Sequence, residues 1–386
     1  MIQSIELKNF KSIKKKNFPL RNLNVLLGLN GQGKSSFIQS LLVLRQSGKL
    51  EQGELKLNGG ENGLINIGTT KDALYQYSKN DDLSINIEFD DGKKYLLEYE
   101  YKIDADVFKQ KNLKKNIYGE AEESIDKKQS LFNSNFQYLN AQRIEPKSIN
   151  ITSYSSVVEA NSIGKYGQYT AHYIELRAND PVVFENVLHK DSTSVDPFTG
   201  QTIVNNTLIN QINLWLGEIS PGVSVQTTKI SSDYVLLEYV FKQPTYGNTN
   251  KYKPENVGFG ISYALHVVTA LLTARPGQLI IIENPESHIH PRGQAEMGKL
   301  IARLAQNDVQ IIVETHSDHI LNGIRVGVKE QKLDKERAIV FYFEKVVETT
   351  EQYSKITNIK IDENGELSEY PAGLLDEWSN QLLKLL

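Results

Sequence analysis

Two short stretches carry side chains whose types and spacing could do chemistry. The first, "GLNGQGKS", places glycines at Gly28, Gly31 and Gly33 directly ahead of Lys34 and Ser35. Phosphates need many N–H donors within a few ångströms. Glycines let the backbone wrap that closely, and the N-terminus of a following helix adds its positive end. In this G-x-x-x-x-G-K-[ST] spacing, Lys34 would reach the β- and γ-phosphates of a nucleoside triphosphate, and the Ser35 hydroxyl would ligate Mg2+. Asn30, Gly31, Gln32, Gly33 and Ser36 complete the expected nucleotide-binding loop. The second stretch, "IIIENPESHIHP", ends an apolar run in Glu283, Asn284, Glu286, His288 and His290. A phosphate loop needs a partner acid at the tip of a neighbouring strand, and Glu283 supplies one. Just past another apolar run, "VQIIVETHSDH", His316 could sense the γ-phosphate and orient a water. His288, His290, His316 and His319, with Glu283 or Glu286, leave a zinc site open as the alternative.

These residues must be held by strands and helices, and the pattern supplies them. "NLNVLLG" reads as a strand feeding the glycine loop, and "SSFIQSLLVLRQ" as the helix that follows. Further on, "ISYALHVVTALLTA" reads as an apolar helix, "QLIIIE" as a strand and "GQAEMGKLIARLAQ" as a helix. The strands "VQIIVE", "RAIVFYFEK" and "YSKITNIKID" and a terminal helix complete the series. Apolar strands alternating with helices predict an α/β fold with a mainly parallel sheet covered on both faces. Ahead of it stands an antiparallel N-terminal β part, begun by the alternating "IQSIELKNF". Three zones follow: residues 1–89 with the glycine loop, a polar middle insertion over 90–254 with few periodic runs, and 255–386. No heptads point to a long coiled-coil arm.

Composition narrows the field. The 386 residues carry 43 basic and 47 acidic side chains, for a net charge of -4. Such a balance argues against coating nucleic acid through bulk charge. No cysteine is present, which excludes disulfides, thiolate metal sites and a cysteine nucleophile. No apolar run reaches the roughly 18 residues of a spanning helix. A cytoplasmic chain without a membrane partner is expected.

In order and spacing the motifs resemble the ABC-class ATPase head shared by transporters, SMC-type chromosome proteins, recombination-repair ATPases and OLD-type nucleases. The elements are "GLNGQGKSS" (Walker A), "NVGFGISYAL" (signature-loop position), "IIIENPE" (Walker B), "SHIH" (D-loop position) and "THS" (switch histidine). With the tail "YPAGLLDEW", they are most similar to a family of small bacterial ABC ATPases carrying an ENPE-HxHP Walker B region. The resemblance implies ATP and Mg2+ as ligands, with Glu283 where an aspartate usually anchors the metal. It also puts Asn284 where a glutamate usually polarises the attacking water. An amide can only orient water, so hydrolysis is expected to be slow, with Glu286 as substitute acid and His316 as positioner. Lys11 is implied beside the nucleotide. Gly258, Phe259 and Gly260 would face a second copy across a homodimer or higher assembly, with Ser262 capping the helix behind them. Gln76 is the candidate Q-loop amide.

The implied role is an ATP-gated regulator or sensor of a separate effector, a nuclease or toxin, in bacterial anti-phage defence. The alternative is a repair or recombination ATPase that clamps DNA, and a transporter subunit comes third. The lysines of "KNFKSIKKKNF" and "KQKNLKKN" fit solvated turns better than a nucleic-acid contact. About 70 residues follow His316, too few for an OLD-type nuclease domain, so any cutting is expected of a partner.

Overall fold

The computed structural model describes residues 1–385, apart from 49–52, 62, 81, 112–116, 119–127 and 244–246. The lysine-rich "KQKNLKKN" therefore lies, from Asn112 on, outside the described residues. The chain divides into two compact units: Met1–Asn133 with Ala338–Lys360 and Leu367–Leu386, and Ser134–Arg337 with Ile361–Glu366. Residues 90–254, read above as one insertion, are shared between them.

The first unit holds an antiparallel seven-stranded sheet. Its path runs through Ile13–Pro19, Ile2–Phe10, Asp82–Phe89, Lys94–Glu100, Val107–Gln110 and Glu54–Lys56, with Ile117–Tyr118 beside Lys94–Glu100. Alternation builds it: along Lys94–Glu100 every second side chain is buried, with Tyr95, Leu97 and Tyr99 inside. This strand lies in the zone that the sequence reading left nearly without periodic runs. Its tyrosines make the apolar half of the pattern, while Lys94, Glu98 and Glu100 make the polar half. In the same unit Leu23–Leu27, buried at every position, pairs in parallel with Ala338–Val347, which pairs antiparallel with Gln352–Ile359. Phe18, Phe37 and Phe341 pack beside them, with ring centroids 4.4 Å apart for Phe18–Phe37 and 5.3 Å for Phe18–Phe341.

In the second unit Gln278–Glu283 lies in parallel between Phe136–Leu139 and Val309–Glu314. Five of its six residues are buried, as a parallel strand covered on both faces requires. Helices Phe259–Leu272, Pro291–Ala305 and Asp318–Lys329 belong here too. A small antiparallel sheet, Ile149–Ile151 with Tyr234–Gln243 and Val223–Lys229, lies in the same unit. The expected α/β architecture, parallel at its centre and antiparallel at its N-terminal part, is what the chain forms. Among the described residues no helix is long and apolar enough to cross a membrane.

Candidate functional site: a phosphate loop and a braced acidic turn

The glycine loop leaves the buried strand Leu23–Leu27 and enters the helix Lys34–Ser47. Gly28, Gly31 and Gly33 all have positive φ, at 139°, 74° and 105°. Gly33 is also crowded: a Cβ there would sit 2.2 Å from the Ser354 hydroxyl and 2.6 Å from that of Ser12. Only glycine meets both demands. The crowding comes from a serine cluster beneath the loop. The Ser354 hydroxyl lies 2.8 Å from that of Ser12 and 2.7 Å from the Gln32 carbonyl. Ser12 and Ser36 are 3.3 Å apart, and the Ser354 amide donates to the Ser12 carbonyl. Lys34, only 3% exposed, folds its ammonium onto the carbonyls of Gly28 (2.7 Å) and Leu29 (2.9 Å). A buried amine facing its own loop is a charge for which phosphate oxygens can compete. Asn30, Gly31 and Ser35 are exposed, whereas Ser36 is buried. The open rim and buried lysine fit a triphosphate.

Lys11 occupies the turn between the first two strands, with φ 52°. Its amide donates to the Ala73 carbonyl and its ammonium to Gln39 Oε1, each at 2.8 Å. Burial lowers its pKa, and the nearby Asp72 carboxylate opposes that shift. The three consecutive hairpin lysines are engaged within the unit: Lys14 with Glu351, Lys15 with Glu6, and Lys16 with the Ile356 carbonyl.

In the second unit Glu283 and Glu314 are register partners at the ends of adjacent parallel strands. Tyr138 donates its hydroxyl to Glu283 Oε1 at 2.9 Å, and the Ala141 amide donates to Oε2 at 3.1 Å. Burial nevertheless raises the carboxyl's pKa, outweighing those two donors and Arg143. A desolvated carboxylate short of positive charge is a fitting magnesium ligand, and each of its oxygens keeps a further lone pair. Asn284 follows in a left-handed conformation, φ 46°, with its Oδ1 buried and unpartnered among the described atoms. Glu286 clasps the neighbouring strand end: Oε2 accepts from the Thr315 hydroxyl and Oε1 from the His316 amide, both at 2.8 Å. His316 is exposed just beyond.

Beside this turn lies the glycine loop of the helix Phe259–Leu272. A Cβ on Gly260 would fall 2.3 Å from the His288 carbonyl oxygen, so glycine is required by close approach. His288 packs between Phe259 and Tyr263, at 5.8 Å and 5.0 Å between ring centroids. Phe259 itself is 55% exposed. Gly258 is the N-cap of the helix, and one expectation fails here: Ser262 does not cap it. Ser262 lies a turn inside the helix, 3% exposed, with its hydroxyl 3.2 Å from that of Tyr239. Because the helix starts at Phe259, the Ser262 hydroxyl is carried past the free N–H groups.

The family model described as "AAA domain, putative AbiEii toxin, Type IV TA system" matches residues 23–322, a span that contains every one of these motifs. The chain belongs to this AAA-domain family. A second model, of a protein of unknown function (DUF3696), matches residues 333–385. No curated protein matches. Among solved structures, an SMC head bound to the C-winged helix domain of ScpA is 14% identical with a TM-score of 0.55, covering 93% of this chain and 98% of its own. A Pyrococcus furiosus SMC head with an extended coiled coil, bound to the C-terminal domain of ScpA, is 13% identical with a TM-score of 0.50. That match covers 100% of this chain and 99% of the other. At these identities the likeness is one of fold: the AAA domain is built as an ABC- or SMC-like ATPase head.

In this AAA domain the zinc alternative finds no support. Among the described residues no three His, Cys, Asp or Glu side chains gather as a metal cluster. His290 instead caps the helix Pro291–Ala305 through Nδ1, and His288 is stacked as described. Sequence reasoning missed the braces of both motifs. Ser12 and Ser354 support the phosphate loop, while Tyr138, Ala141 and Arg143 hold the acidic turn. Gln76 is exposed just past the helix Thr70–Ala73. Gln142 is exposed at the C-terminal side of the Phe136–Leu139 strand, three residues past its end.

Proposed function

We propose that this chain is an ATP-binding, slowly hydrolysing ABC-class ATPase, a homodimer whose nucleotide state gates a separate effector, a nuclease or toxin, in bacterial anti-phage defence. The observation that carries the nucleotide assignment is the Gly28–Ser36 loop, with the Lys34 ammonium buried against the Gly28 and Leu29 carbonyls. When ATP binds, its phosphate oxygens take over that ammonium and the N-terminal amides of the Lys34 helix. Ser35 and Glu283 are the proposed ligands of Mg2+, which would supply charge neutralisation to the phosphates.

Slow turnover follows from Asn284. Its amide accepts no proton, so it can align a water without activating it. Glu286 is the proposed substitute base, and His316 the proposed positioner of the attacking water. Gln142 replaces Gln76 as the proposed Q-loop amide, because it stands at a parallel-strand C-terminus, where open α/β sheets bind their ligands. Across the dimer, Gly258, Phe259 and Gly260 would meet the second copy, and the exposed Phe259 ring supports that reading. The effector role draws on the toxin–antitoxin wording of the family description. A cytoplasmic setting is part of the same reading.

The test is Lys34→Ala. Titration with ATP and magnesium should show binding by the parent chain and at least a hundredfold loss in the variant, in line with the roughly 3 kcal/mol of a charge-assisted contact. Retained affinity would refute the assignment.

A further inference from the structure

In an extended strand successive carbonyls point to opposite sides, so one side chain cannot grip two neighbours. At the tip of the Glu283 strand that alternation is broken by the left-handed Asn284. The carbonyls of Glu283 and Asn284 both accept from Arg143, from Nη2 at 2.7 Å and from Nη1 at 3.1 Å. A planar guanidinium fork suits two acceptors on one side. The Asn284 carbonyl also accepts from the Ser287 amide at 3.2 Å and the Ser287 hydroxyl at 3.0 Å. Arg143 is 3% exposed. Burial lowers its pKa to about 10, with Glu286 and Glu283 pulling the other way, so it remains a cation at neutral pH. Its charge also reaches the Phe259 helix. His266 there is held neutral, with a pKa of about 3, by burial and by Arg143. Tyr263 of the same helix is another electrostatic neighbour of the guanidinium.

We propose that Arg143 is a positioning residue for ATP turnover: by gripping the Glu283 and Asn284 carbonyls together it locks the Asn284 turn in its left-handed form. The proposal rests on the ATPase reading above. A carboxylate base tolerates some movement, since proton transfer adds its own driving force. An amide contributes by geometry alone, so the backbone that carries Asn284 Oδ1 must be fixed. Arg143, 3% exposed and spent on the two carbonyls, supplies the fixing.

Two arms test it in the full chain. Arg143→Lys replaces a fork by a single ammonium, and Arg143→Ala removes the group. Both should lower kcat about tenfold or more while the Kd for ATP stays within about threefold. Added methylguanidine should restore part of the kcat of Arg143→Ala. Unchanged kcat, or kcat and affinity lost in proportion, overturns the proposal. The second arm needs no nucleotide. Amide hydrogen exchange at Ser287 and Ile289 should quicken about tenfold in Arg143→Lys while Ile280–Ile282 stay protected. Unchanged exchange at the turn, or lost protection along the whole strand, overturns the brace. Should the parent chain show no turnover that Lys34→Ala removes, the ATPase reading fails, and the exchange arm alone decides the role of Arg143.

Discussion

Glu286→Gln separates two tasks that fall on one side chain. The carboxylate accepts the Thr315 hydroxyl and the His316 amide, both at 2.8 Å, and it is the substitute base in the proposed mechanism. Glutamine keeps one oxygen. The cheaper arrangement turns that oxygen to the His316 N–H and the new NH2 to Thr315, whose hydroxyl can rotate to accept. Both hydrogen bonds then survive, and the loss is their charge assistance, about 1–2 kcal/mol. In thermal unfolding of a 386-residue chain that corresponds to a fall in Tm of about 1–3 °C. Loss of a general base costs more, about 10²–10⁴-fold in kcat. Thr315→Val supplies the control: it removes one clasp contact and also the acceptor of the buried Ser317 amide at 3.0 Å, so stability should drop by about 2–3 kcal/mol, yet kcat should stay within about threefold. Single-turnover phosphate release at saturating ATP, read beside calorimetry, gives both numbers. Equal kcat losses in the two variants would mean that Glu286 acts through the clasp. An unchanged kcat in Glu286→Gln would remove it from the chemistry altogether.

Gly33→Ala forces a Cβ to within 2.2 Å of the Ser354 hydroxyl at φ 105°. It should cost about 1–3 kcal/mol of stability and lower ATP affinity at least tenfold in titration calorimetry, and wild-type affinity would contradict the loop geometry. Gly260→Ala must move the Phe259 helix away from the His288 carbonyl, 2.3 Å from the added carbon. ATP-dependent dimerisation in sedimentation should weaken about tenfold while nucleotide binding by the monomer persists, and an unaltered dimer would count against the signature-loop role. Glu283 gives a pH signature. Burial raises its folded pKa, so its contribution to stability is full below the ordinary glutamate value of about 4.3 and is lost as pH climbs through the raised folded value. Glu283→Gln should remove that part of the slope in urea unfolding as pH rises above the ordinary glutamate value of about 4.3, and parallel profiles would refute the shift.

What the chain states locally was legible from its letters. The phosphate loop, the buried strands Leu23–Leu27 and Gln278–Glu283, and the helices after them are written in glycine spacing and apolar periodicity. Both act over one turn or a few strand residues. The acid at Glu283, the amide at Asn284 and the glycines of the signature position could likewise be read in order. The tyrosine-rich strand Lys94–Glu100 escaped because two of its three inward residues are tyrosines and its outward face carries Leu96 among the charges, which blurs the alternation within a zone of polar composition.

Tertiary structure alone decided what each of those groups rests upon. Ser12 and Ser354 meet under Gly33 although 342 positions separate them. Arg143 grips carbonyls 140 and 141 residues away. Such pairings depend on which strands become neighbours, and strand order leaves no periodic trace in a single sequence. Helix phase is decided in the same way. Ser262 reads as a cap, but starting the helix at Phe259 turns its hydroxyl inward to Tyr239. Chemistry-bearing residues announce themselves through type and spacing, whereas the braces that aim them are two ordinary serines, a tyrosine and an arginine, given their task only by folding.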